Sequence, residues 1–483
     1  RPAAAAAGAG VRLPLDAARA LLARYDRPGP RYTSYPPVLA WRALEGAEYR
    51  ERLAAAGQAG RAVAVYAHLP FCAAQCLYCG CNAAVTRRRD VMDAYLGRLA
   101  REARVVAAAL GPGGGRVAQL HWGGGTPNHL DEGQMERALA AVGDAFDLRP
   151  TAALSVEADP RLATPDQLRT LARLGFRRVS FGVQDLDREV QLAIGRRQPE
   201  PVVRAAVDAA RDAGFAGVHV DLIYGLPAQT LDGFRRTAEA VLALAPDRVA
   251  CFGYAHVPWM RPHQRRIDAA ALPGAADRLA LFAAAAEVFT GAGYAWIGMD
   301  HFAAPGDPLA RAAADGTLGR DFMGYTARAA GGGGGEAPAH LIGLGMSAIT
   351  ELGPAPGAPH GAYVQNAARL SAWQPLVDAG ALPAARGHVR TADDHRRGAA
   401  IRALLCRMAV LDVEADALLG RGPDAAARRA EWAGMAADGL VARRRGEWHV
   451  TPLGRLFVRA VARLLDAGPD AGPPAQRPND STA

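Results

Sequence analysis

Short apolar runs alternate with longer helical patterns along the chain from about residue 60 to residue 300. The runs are rich in β-branched residues, which is typical of buried strands, and the stretches between them are rich in alanine and leucine. The predicted strands are Val63–Phe71, Val117–Gly123, Ala153–Glu157, Arg178–Val183, Val218–Ile223 and Arg248–Tyr254. The predicted helices between them are Asp90–Ala109, Glu132–Ala145, Pro165–Leu174, Pro201–Ala213 and Thr230–Ala243.

The alternation of strand and helix indicates parallel βαβ units, because a parallel strand can be reached only through a crossover connection. Six consecutive units predict an α/β fold built on a partial (β/α)6 barrel of the TIM type. In such a barrel the loops at the C-terminal ends of the strands form the functional site.

Beyond about residue 360 the pattern changes to helices at Ala362–Ala379, Asp394–Val410 and Asp424–Asp438. A short strand-like segment, Leu440–Val450, and a final helix at Pro452–Leu465 follow. This order predicts a helical C-terminal domain that resembles a winged helix. Such a module either binds nucleic acid or packs over a catalytic domain, and we expect the structural role here because a catalytic site is predicted elsewhere.

These patterns divide the chain into six segments. The predicted segments are a disordered tail at 1–24, an N-terminal extension at 25–60, the barrel at 61–300, a connecting segment at 301–359, the helical C-terminal domain at 360–467 and a second disordered tail at 468–483. The connecting segment contains the five-glycine run Gly331–Gly335, which is typical of a flexible insertion.

Polar or small residues stand at the C-terminal end of each predicted barrel strand. In chain order they are the cysteine loop after the first strand, Gly123–Pro127 after the second, Glu157 and Asp159 after the third, Gln184 after the fourth, Asp221 in the fifth and Tyr254–His256 after the sixth. The C-terminal ends of parallel strands meet at one edge of the sheet. Six such positions therefore predict a single active site at that edge.

The charge of the chain is carried by arginine alone. All 56 basic residues are arginine, the net charge is +8 at pH 7, and no lysine occurs. The absence of lysine excludes Schiff-base catalysis and makes any recognition of anions depend on guanidinium groups. The densest basic runs, Arg87–Arg89 and Arg443–Arg445, are short, so we interpret the charge as a solvated surface and expect no nucleic-acid partner.

The sequence also limits the possible locations of the protein. No stretch of about 18 uncharged apolar residues occurs, so we expect no membrane span. The first ten residues are of low complexity and lack a strong apolar core, which favours a disordered tail over a targeting segment. We expect a cytoplasmic protein, with an organelle as the alternative.

Four cysteines lie within ten residues, at Cys72, Cys76, Cys79 and Cys81, although the chain contains six cysteines in all. The C-x3-C-x2-C spacing of the first three supplies three thiolates, whereas an iron–sulfur cube takes four ligands. One iron of such a cube would therefore remain open to a ligand that is not protein.

A structural zinc site is the alternative for these thiols. Zinc prefers two separated ligand pairs, but the remaining cysteines, Cys251 and Cys406, are isolated in the sequence. For these two we expect the role of small buried hydrophobic side chains.

The glycine triplet Gly123–Gly125 brings backbone groups within reach of a ligand, because glycine has no Cβ. A tight turn explains the triplet equally well. Beside a three-thiolate cluster, however, an amino acid bound through its amine and carboxylate could chelate the open iron. Glu157 and Asp221 are candidates to accept ribose hydroxyls, as acidic residues at strand ends do in nucleotide-binding folds. A helix N-cap or a structural ion pair is the alternative for each.

These residues resemble the radical S-adenosylmethionine superfamily and, within it, the oxygen-independent coproporphyrinogen III oxidases, also called dehydrogenases. Related heme chaperones usually lack the cysteine at position 81, and the resemblance covers roughly residues 25 to 465. The motifs that carry it are Cys72–Cys81, Arg31-Tyr-Thr-Ser-Tyr-Pro36, His121-Trp-Gly-Gly-Gly-Thr-Pro127, Ser180-Phe-Gly-Val-Gln-Asp185, Asp221-Leu-Ile-Tyr-Gly-Leu-Pro227 and Gly298-Met-Asp-His-Phe302.

The resemblance implies one 4Fe-4S cluster held by Cys72, Cys76 and Cys79, with Cys81 nearby but not a ligand. It also implies two bound S-adenosylmethionine molecules. The positions that match the site of the first are Tyr66, Gly124, Glu157 and Ile349. The positions that match the site of the second are Tyr78, Gly125, Thr126, Gln184, Arg196, Asp221 and Ala255.

The reaction implied is the conversion of two propionates of coproporphyrinogen III to vinyl groups in heme biosynthesis, begun by a deoxyadenosyl radical and giving protoporphyrinogen IX. The substrate carries four carboxylates, with which an arginine-rich chain is compatible. The expected electron donor is a reduced flavodoxin or ferredoxin, and the expected state is a monomer. Two other hypotheses are a heme chaperone of the same superfamily and a nucleic-acid-binding regulator with an iron–sulfur sensor.

The sequence departs from the family pattern at two places. Tyr78 stands where the family commonly has phenylalanine, which is a conservative change. The family often reads Asn-Phe-Gln-Gly-Tyr-Thr where this chain has Asp321-Phe-Met-Gly-Tyr-Thr326. Met323 cannot donate the hydrogen bonds of a glutamine, so a contact to substrate or electron acceptor there is in doubt.

Overall fold

The computed structural model describes residues 11–27, 29–327 and 337–466. These residues form two compact units. Unit 1 comprises the described residues within Arg1–Ala40, Gly274–Arg328 and Arg390–Ala483, and unit 2 comprises those within Trp41–Pro273 and Ala329–Val389. The glycine run Gly331–Gly335 and the predicted tail at 468–483 lie outside the described residues. Among the described helices, none combines the length and the hydropathy that crossing a bilayer requires.

Six parallel strands form the centre of unit 2 and follow one another in the sheet in chain order. They are β1 (Val63–Leu69), β2 (Arg116–Gly124), β3 (Asp147–Ala158), β4 (Phe176–Gln184), β5 (Gly217–Tyr224) and β6 (Arg248–Gly253). Every residue of β1 except Tyr66 is buried, as expected for a parallel strand covered on both faces. The predicted partial (β/α)6 barrel of the TIM type is confirmed.

The helices that connect these strands also lie where the sequence predicts them. They are Arg89–Leu110, Glu132–Gly143, Pro165–Arg173, Glu200–Asp212 and Leu231–Leu242, with the short helix Arg188–Ala193 after β4. Several begin at a capping side chain that satisfies free backbone N–H groups. Asp131 and Gln134, for example, form a capping box at the start of Glu132–Gly143.

The sheet of unit 2 continues beyond β1 with strands from the later part of the chain. His340–Leu344 lies parallel to β1, with Gly343 opposite Tyr66. Ile349–Leu352, Ala362–Asn366, Ala384–Val389 and the short strand Arg42–Ala43 follow in antiparallel order. The remaining helices of unit 2 are Gly46–Gln58 and Leu370–Asp378.

The predicted helix Ala362–Ala379 is therefore wrong in its first part, because Ala362–Asn366 is a strand and the helix starts at Leu370. All five residues of the strand are buried. The sequence therefore lacks the alternation of polar and apolar residues that marks a strand with one exposed face. The domain boundary predicted at residue 360 is also wrong. The chain remains in the sheet of unit 2 until Val389.

Unit 1 is mainly helical and is assembled from three separate parts of the chain. Its helices are Leu15–Tyr25, Ala275–Gly291, Pro308–Ala314, Ala392–Arg407, Asp412–Leu419, Ala425–Ala437, Pro452–Arg455 and Val458–Arg463. It contains the hairpins Ala295–Ile297 with His301–Ala303 and Leu318–Asp321 with Gly324–Ala327. The final helix predicted at Pro452–Leu465 is thus two short helices.

The predicted winged-helix arrangement is present in unit 1. Strand Ala409–Leu411 pairs with Glu447–Val450, which also pairs with Val441–Arg444 to make the two-stranded wing. The helices Asp412–Leu419 and Ala425–Ala437 lie between the first strand and the wing in the chain. The sequence pattern indicates the helix Ala425–Ala437, the wing and the helical end. It missed the strand Ala409–Leu411, whose first residues it assigned to the predicted helix Asp394–Val410, and it missed the helix Asp412–Leu419.

The prediction of a disordered tail at residues 1–24 is wrong for the part that the structure describes, because Leu15–Tyr25 is a helix. Tyr25 is buried, and its hydroxyl donates to Asp438 Oδ2 over 2.6 Å. Ala18 is buried in the same hydrophobic core of unit 1. The segment consists mostly of Ala, Leu and Arg, which are strong helix formers, so the prediction overlooked a local signal that packing in unit 1 reinforces.

Candidate active site

The cysteine loop begins directly after β1. Phe71–Cys72 forms a short parallel pair with Ala84–Val85, and this pair holds the two ends of the loop together. Inside the loop the N–H of Cys79 donates to the carbonyl of Cys76 over 3.3 Å. All six cysteines of the chain are free thiols.

A hydrogen-bond donor lies beside each of the three thiols expected to bind iron. Cys72 Sγ lies 3.3 Å from the hydroxyl of Thr126, and Cys76 Sγ lies 3.5 Å from Nη1 of Arg196. Cys79 Sγ accepts from the backbone N–H of Cys81 over 3.4 Å. Donors of this kind stabilise thiolates, which are the form that binds a metal.

The pKa values of these thiols differ. Hydrogen bonds from the side chain and backbone of Cys81 lower the pKa of Cys79 to about 6, with help from the positive charge of Arg196. Burial raises the pKa of Cys72 to about 11. Binding of a metal would deprotonate Cys72 as well, because the ligand is the thiolate.

The donor set fits an iron–sulfur cube better than a single metal ion. In the described part of the chain, no three or more His, Cys, Asp or Glu side chains converge on a point where one ion could bind. In a cube each thiolate binds a different iron atom, so the thiols need not converge. The three cysteines, their donors and their spacing therefore agree with a 4Fe-4S cluster.

The glycine triplet packs the end of β2 against the cysteine loop. The N–H of Gly125 donates to the carbonyl of Leu69 over 2.9 Å. A Cβ on Gly125 would lie 2.5 Å from the backbone of Pro70, and a Cβ on Gly124 would lie 2.5 Å from the ring of His68. Gly124 also has a φ of +115°, which a side chain would strain. This close packing accounts for the triplet without a ligand.

Glu157 lies beside this turn at the end of β3. Its Oε2 accepts from the N–H of Gly124 over 3.1 Å, and its Oε1 lies 3.3 Å from Nε2 of His121. Burial alone would raise the pKa of Glu157, but the bonds from His121 and Gly124 bring that pKa below its usual range. The carboxylate is therefore held ionised and oriented at the edge where β1, β2 and β3 end.

Tyr66 joins Glu157 and Gly124 in this group. Its ring stacks on His121 with centroids 5.9 Å apart, and its hydroxyl lies 3.1 Å from Nδ1 of His68. Ile349 lies on the side of β1 that is opposite to β2. Gly343, on the neighbouring strand, pairs with Tyr66, and a Cβ on Gly343 would contact the backbone of Ile349. The four positions matched to the first S-adenosylmethionine thus lie around the end of β1.

The second group of matched positions is arranged around Arg196. This buried guanidinium donates to the carbonyl of Gly182 over 2.8 Å and lies 3.1 Å from Asp159 Oδ2. Gly182 pairs with Asp221 on β5, whose Oδ2 accepts from Ser180 over 3.0 Å. Arg196 therefore links the cysteine loop to the ends of β3 and β4.

Gln184 ends β4 with a φ of +68°, in the left-handed region that non-glycine residues rarely adopt. Strained backbone of this kind is concentrated at functional sites. A Cβ on Gly182 would lie 2.7 Å from Nε2 of Gln184, so this glycine leaves room for the glutamine side chain.

Sequence reasoning missed Gln264, which ties two of the matched positions together. Its Nε2 donates to the carbonyl of Tyr78 over 2.8 Å and to that of Ala255 over 3.3 Å, and its Oε1 accepts from the N–H of Val257. The side chain is completely buried. Nothing in the local sequence distinguishes Gln264 from an ordinary surface glutamine.

Glu102 was also missed, because it lies inside the long helix Arg89–Leu110, where an acidic residue is common. Its carboxylate is buried and accepts from the N–H of Gly345, from Asn366 and from Trp373 over 2.9, 2.6 and 3.1 Å. These bonds hold the segment that leads to Ile349.

In unit 1 the structure brings two of the sequence motifs together. Nη2 of Arg31 lies 2.5 Å from Oδ2 of Asp300, and Oδ1 of Asp300 lies 2.8 Å from Nδ1 of His301. These bonds hold the pKa of Asp300 well below its usual range in spite of burial. Met323 lies in the turn of the hairpin Leu318–Asp321 with Gly324–Ala327 and is 37% exposed.

The chain is similar to known proteins over most of its length. Residues 66–241 match the model of the Radical SAM superfamily. The oxygen-independent coproporphyrinogen III oxidase of Pseudomonas aeruginosa is 40% identical to this chain over 457 residues, which are 92% of this chain and 95% of that protein. The protein of the same name from Escherichia coli is 38% identical, over 92% of this chain and 94% of that protein.

A solved structure described as coproporphyrinogen III oxidase (HemN) from Escherichia coli, a Radical SAM enzyme, is similar over most of the fold. The TM-score is 0.80 at 36% identity, and the match covers 90% of this chain and 97% of that chain. The similarity to the Pseudomonas aeruginosa protein and to this solved structure covers at least 90% of the chain and therefore extends far beyond residues 66–241, which match the superfamily model. The chain belongs to the oxygen-independent coproporphyrinogen III oxidase family of the Radical SAM superfamily.

Proposed function

We propose that this chain oxidises coproporphyrinogen III without oxygen, converting two propionate side chains to vinyl groups with loss of carbon dioxide and giving protoporphyrinogen IX in heme biosynthesis. The observation that carries the proposal is the meeting of the cysteine loop, the glycine turn and Glu157 at one edge of the sheet. Relatives named oxygen-independent coproporphyrinogen III oxidase match the chain over 92% of its length.

Cys72, Cys76 and Cys79 would hold the 4Fe-4S cluster, and S-adenosylmethionine would complete it at the iron without a protein ligand. When bound, these two groups supply the one-electron chemistry that begins the oxidation of a propionate. The protein itself binds and orients the reactants and excludes water and oxygen. Thr126, Arg196 and the backbone of Cys81 would donate to the cluster ligands, as they do to the free thiols.

We further propose that the site takes two molecules of S-adenosylmethionine. Tyr66, Gly124, Glu157 and Ile349 would line the first, the molecule that would bind the open iron. Support comes from Glu157, whose carboxylate is already ionised and oriented by His121 and Gly124. Such a preorganised acceptor binds a ribose hydroxyl or an amine without further ordering of the protein.

The second molecule would occupy the edge formed by the ends of β4, β5 and β6. The residues proposed to contact it are Tyr78, Gly125, Thr126, Gln184, Arg196, Asp221 and Ala255. Support comes from Gln264, which bonds to the carbonyls of Tyr78 and Ala255, and from Arg196, which bonds to the carbonyl of Gly182, the residue paired with Asp221. The two groups share the glycine turn, with Gly124 in one and Gly125 in the other.

The remaining assignments are also proposals. The electron donor would be a reduced flavodoxin or ferredoxin, and the protein would act as a monomer. The arginines of the chain would meet the four carboxylates of the substrate. A cytoplasmic location is also proposed; none of the six cysteines forms a disulfide, which agrees with a reducing compartment.

An anaerobic assay tests the function. The purified protein is reconstituted with iron and sulfide and mixed with a reductant, S-adenosylmethionine and coproporphyrinogen III. We expect 5′-deoxyadenosine and protoporphyrin together, measured by chromatography. Deoxyadenosine without protoporphyrin would contradict the proposed substrate. Neither product from protein with an intact cluster, together with tight heme binding, would favour the heme chaperone.

A further inference from the structure

An exposed loop follows β6 in unit 2 and carries two large apolar side chains. We call residues 257–266 the Trp259 loop; its sequence is Val-Pro-Trp-Met-Arg-Pro-His-Gln-Arg-Arg. Trp259 is 61% exposed and Met260 is 58% exposed. Adjacent apolar side chains at a protein surface often mark a site of interaction, and tryptophan is enriched among the residues that dominate binding energy.

Positive charge surrounds these two side chains. Arg265 and Arg266 are exposed and form no ion pair with another residue of the described chain. Arg261 donates to the side-chain oxygen of Asn82 over 2.8 Å, which leaves its charge without a neutralising carboxylate. Asp268, the nearest acid in the sequence, is used to cap the N–H of Ala270. The surface is therefore apolar at its centre and cationic beside it.

The Trp259 loop is bonded directly to the loop that carries the candidate cluster ligands. Nε2 of His263 lies 2.7 Å from the carbonyl oxygen of Cys79. Gln264 donates to the carbonyl of Tyr78, between Cys76 and Cys79 in the chain. The bond from Arg261 to Asn82 adds a third contact. The exposed surface thus adjoins the place where a cluster would be reduced.

We propose that the Trp259 loop is the docking surface for the protein that reduces the cluster, and that this partner is a small acidic redox protein. The proposal rests on the proposed function, because only the reduction of a cluster requires such a partner. One electron leaves the reduced cofactor of the partner and enters the cluster, and no bond forms or breaks. Complementary charge accelerates encounter and fixes orientation, while an apolar centre supplies affinity.

The alternative occupant is the tetrapyrrole substrate, which is also anionic and apolar. The position of the loop favours the redox partner, because Trp259 and Met260 are exposed at the surface, whereas a small-molecule site buries most of its ligand in a concave pocket. The two occupants are separated by an experiment in which no tetrapyrrole is present.

The experiment measures reduction of the cluster in the reconstituted holoprotein by its loss of visible absorbance after anaerobic mixing. Reduced flavodoxin and dithionite are used separately as reductants. We expect Arg265→Glu and Arg266→Glu each to slow reduction by flavodoxin at least fivefold and to leave reduction by dithionite unchanged. The matched control is Arg104→Glu, an exposed arginine without an ion pair on the helix that runs from the cysteine loop to the start of β2.

A second set of variants tests the apolar centre. Trp259→Ser should weaken binding of flavodoxin at least tenfold, measured by titration calorimetry at low salt, whereas Trp259→Phe should keep most of the affinity. The difference in affinity for flavodoxin between the wild type and Arg266→Glu should become smaller as salt is added, because salt screens the electrostatic attraction.

Three results would overturn the proposal. The first is an unchanged rate with flavodoxin in all loop variants, and the second is an equal slowing with dithionite. The third is a raised KM for coproporphyrinogen III under dithionite together with an unchanged flavodoxin rate, which would assign the surface to the substrate. Failure of the proposed function can be distinguished from failure of the docking proposal. An enzyme that forms no protoporphyrin can still have its cluster reduced, and the rate of that reduction is measured separately.

Discussion

Nη1 of Arg196 lies 3.5 Å from Sγ of Cys76 and 3.1 Å from Oδ2 of Asp159. One buried guanidinium is therefore shared between a candidate cluster ligand and a carboxylate. The family resemblance implies only a contact between Arg196 and S-adenosylmethionine, whereas the structure adds a contact to the thiol. The charge of Arg196 would therefore act on a cluster bound at Cys76 whether or not S-adenosylmethionine is present.

We expect Arg196→Met to make the reduction potential of the cluster more negative. A hydrogen bond and a positive charge near the sulfur stabilise the reduced cluster, which carries one more negative charge. A redox titration followed by electron paramagnetic resonance measures the change. Arg161→Met is the matched control. Arg161 also bonds to Asp159 and its charge also acts on Cys76, but no hydrogen bond from it to a cysteine sulfur is present in the described chain, so the comparison isolates the bond from Arg196. Equal potentials in both variants would disprove a special role for Arg196.

The iron ligands are tested by comparing Cys76→Ala with Cys81→Ala. We expect Cys76→Ala to lose the cluster, because two thiolates do not hold the cube, and Cys81→Ala to keep it. The measurement is the iron content and the visible spectrum after reconstitution. Full iron in Cys76→Ala would contradict the assignment, and loss of iron in Cys81→Ala would make Cys81 a ligand.

We expect Asp221→Ala to weaken binding of S-adenosylmethionine by about tenfold or more, since a hydrogen bond to a charged group contributes about 1.5–3 kcal/mol. The iron content should not change, because Asp221 lies on β5 and accepts from Ser180 on β4, outside the cysteine loop. Equilibrium binding to the reconstituted protein measures the effect. Ser180→Ala, which removes one donor to Asp221, should have a smaller effect. Unchanged affinity in Asp221→Ala would remove this residue from the site.

Glu102 should make the stability of the protein depend on pH. Burial raises the pKa of Glu102 to about 7, against the effect of the bonds from Gly345, Asn366 and Trp373. In the unfolded chain the carboxyl loses its proton near its ordinary value of 4.5. Between these values the folded form holds a proton that the unfolded form has lost. Stability therefore falls as pH rises, by at most about 1.4 kcal/mol per pH unit.

The variant Glu102→Gln has no carboxyl group to titrate at this position and serves as the reference. We expect the free energy of unfolding of the wild type, relative to this variant, to decrease as pH rises from about 5 to about 7. Urea unfolding at several pH values measures the difference. A difference that does not change with pH would show that Glu102 keeps an ordinary pKa.

Met323 tests the main departure from the family pattern. We expect Met323→Gln to raise the turnover of coproporphyrinogen III if this position contacts the substrate, because glutamine supplies hydrogen-bond donors that methionine lacks. The folding stability should change by less than about 0.5 kcal/mol, since the side chain is partly exposed in a hairpin turn. Met323→Leu is the control for size. Identical kinetics in all three proteins would mark the position as tolerant.

The sequence predicted the barrel because its signals are local. The strands contain apolar runs and are followed by helical patterns, of which Glu132–Gly143, Pro165–Arg173 and Leu231–Leu242 begin at a capping side chain, and the order in the chain is the order in the sheet. The polar residues at the strand ends, such as Glu157 and Asp221, could be assigned to one site because parallel strands end at one edge.

Elements whose structure depends on distant residues were missed. Ala362–Asn366 is a strand because it lies between two other strands of the sheet, and its sequence alone suggested a helix. Glu102 and Gln264 are important because backbone groups far away in the sequence meet them, and no local pattern marks such residues.

The sequence by itself determined the barrel, the position of the cysteine loop and the family, because spacing, periodicity and motif order are properties of neighbouring residues. Tertiary structure alone decided that unit 1 is assembled from three separate stretches, that the sheet extends beyond β1, and that Arg196 faces Cys76. It also placed Trp259 and Met260 at the surface beside the cysteine loop. These relationships depend on contacts between residues far apart in the chain, which periodicity does not encode.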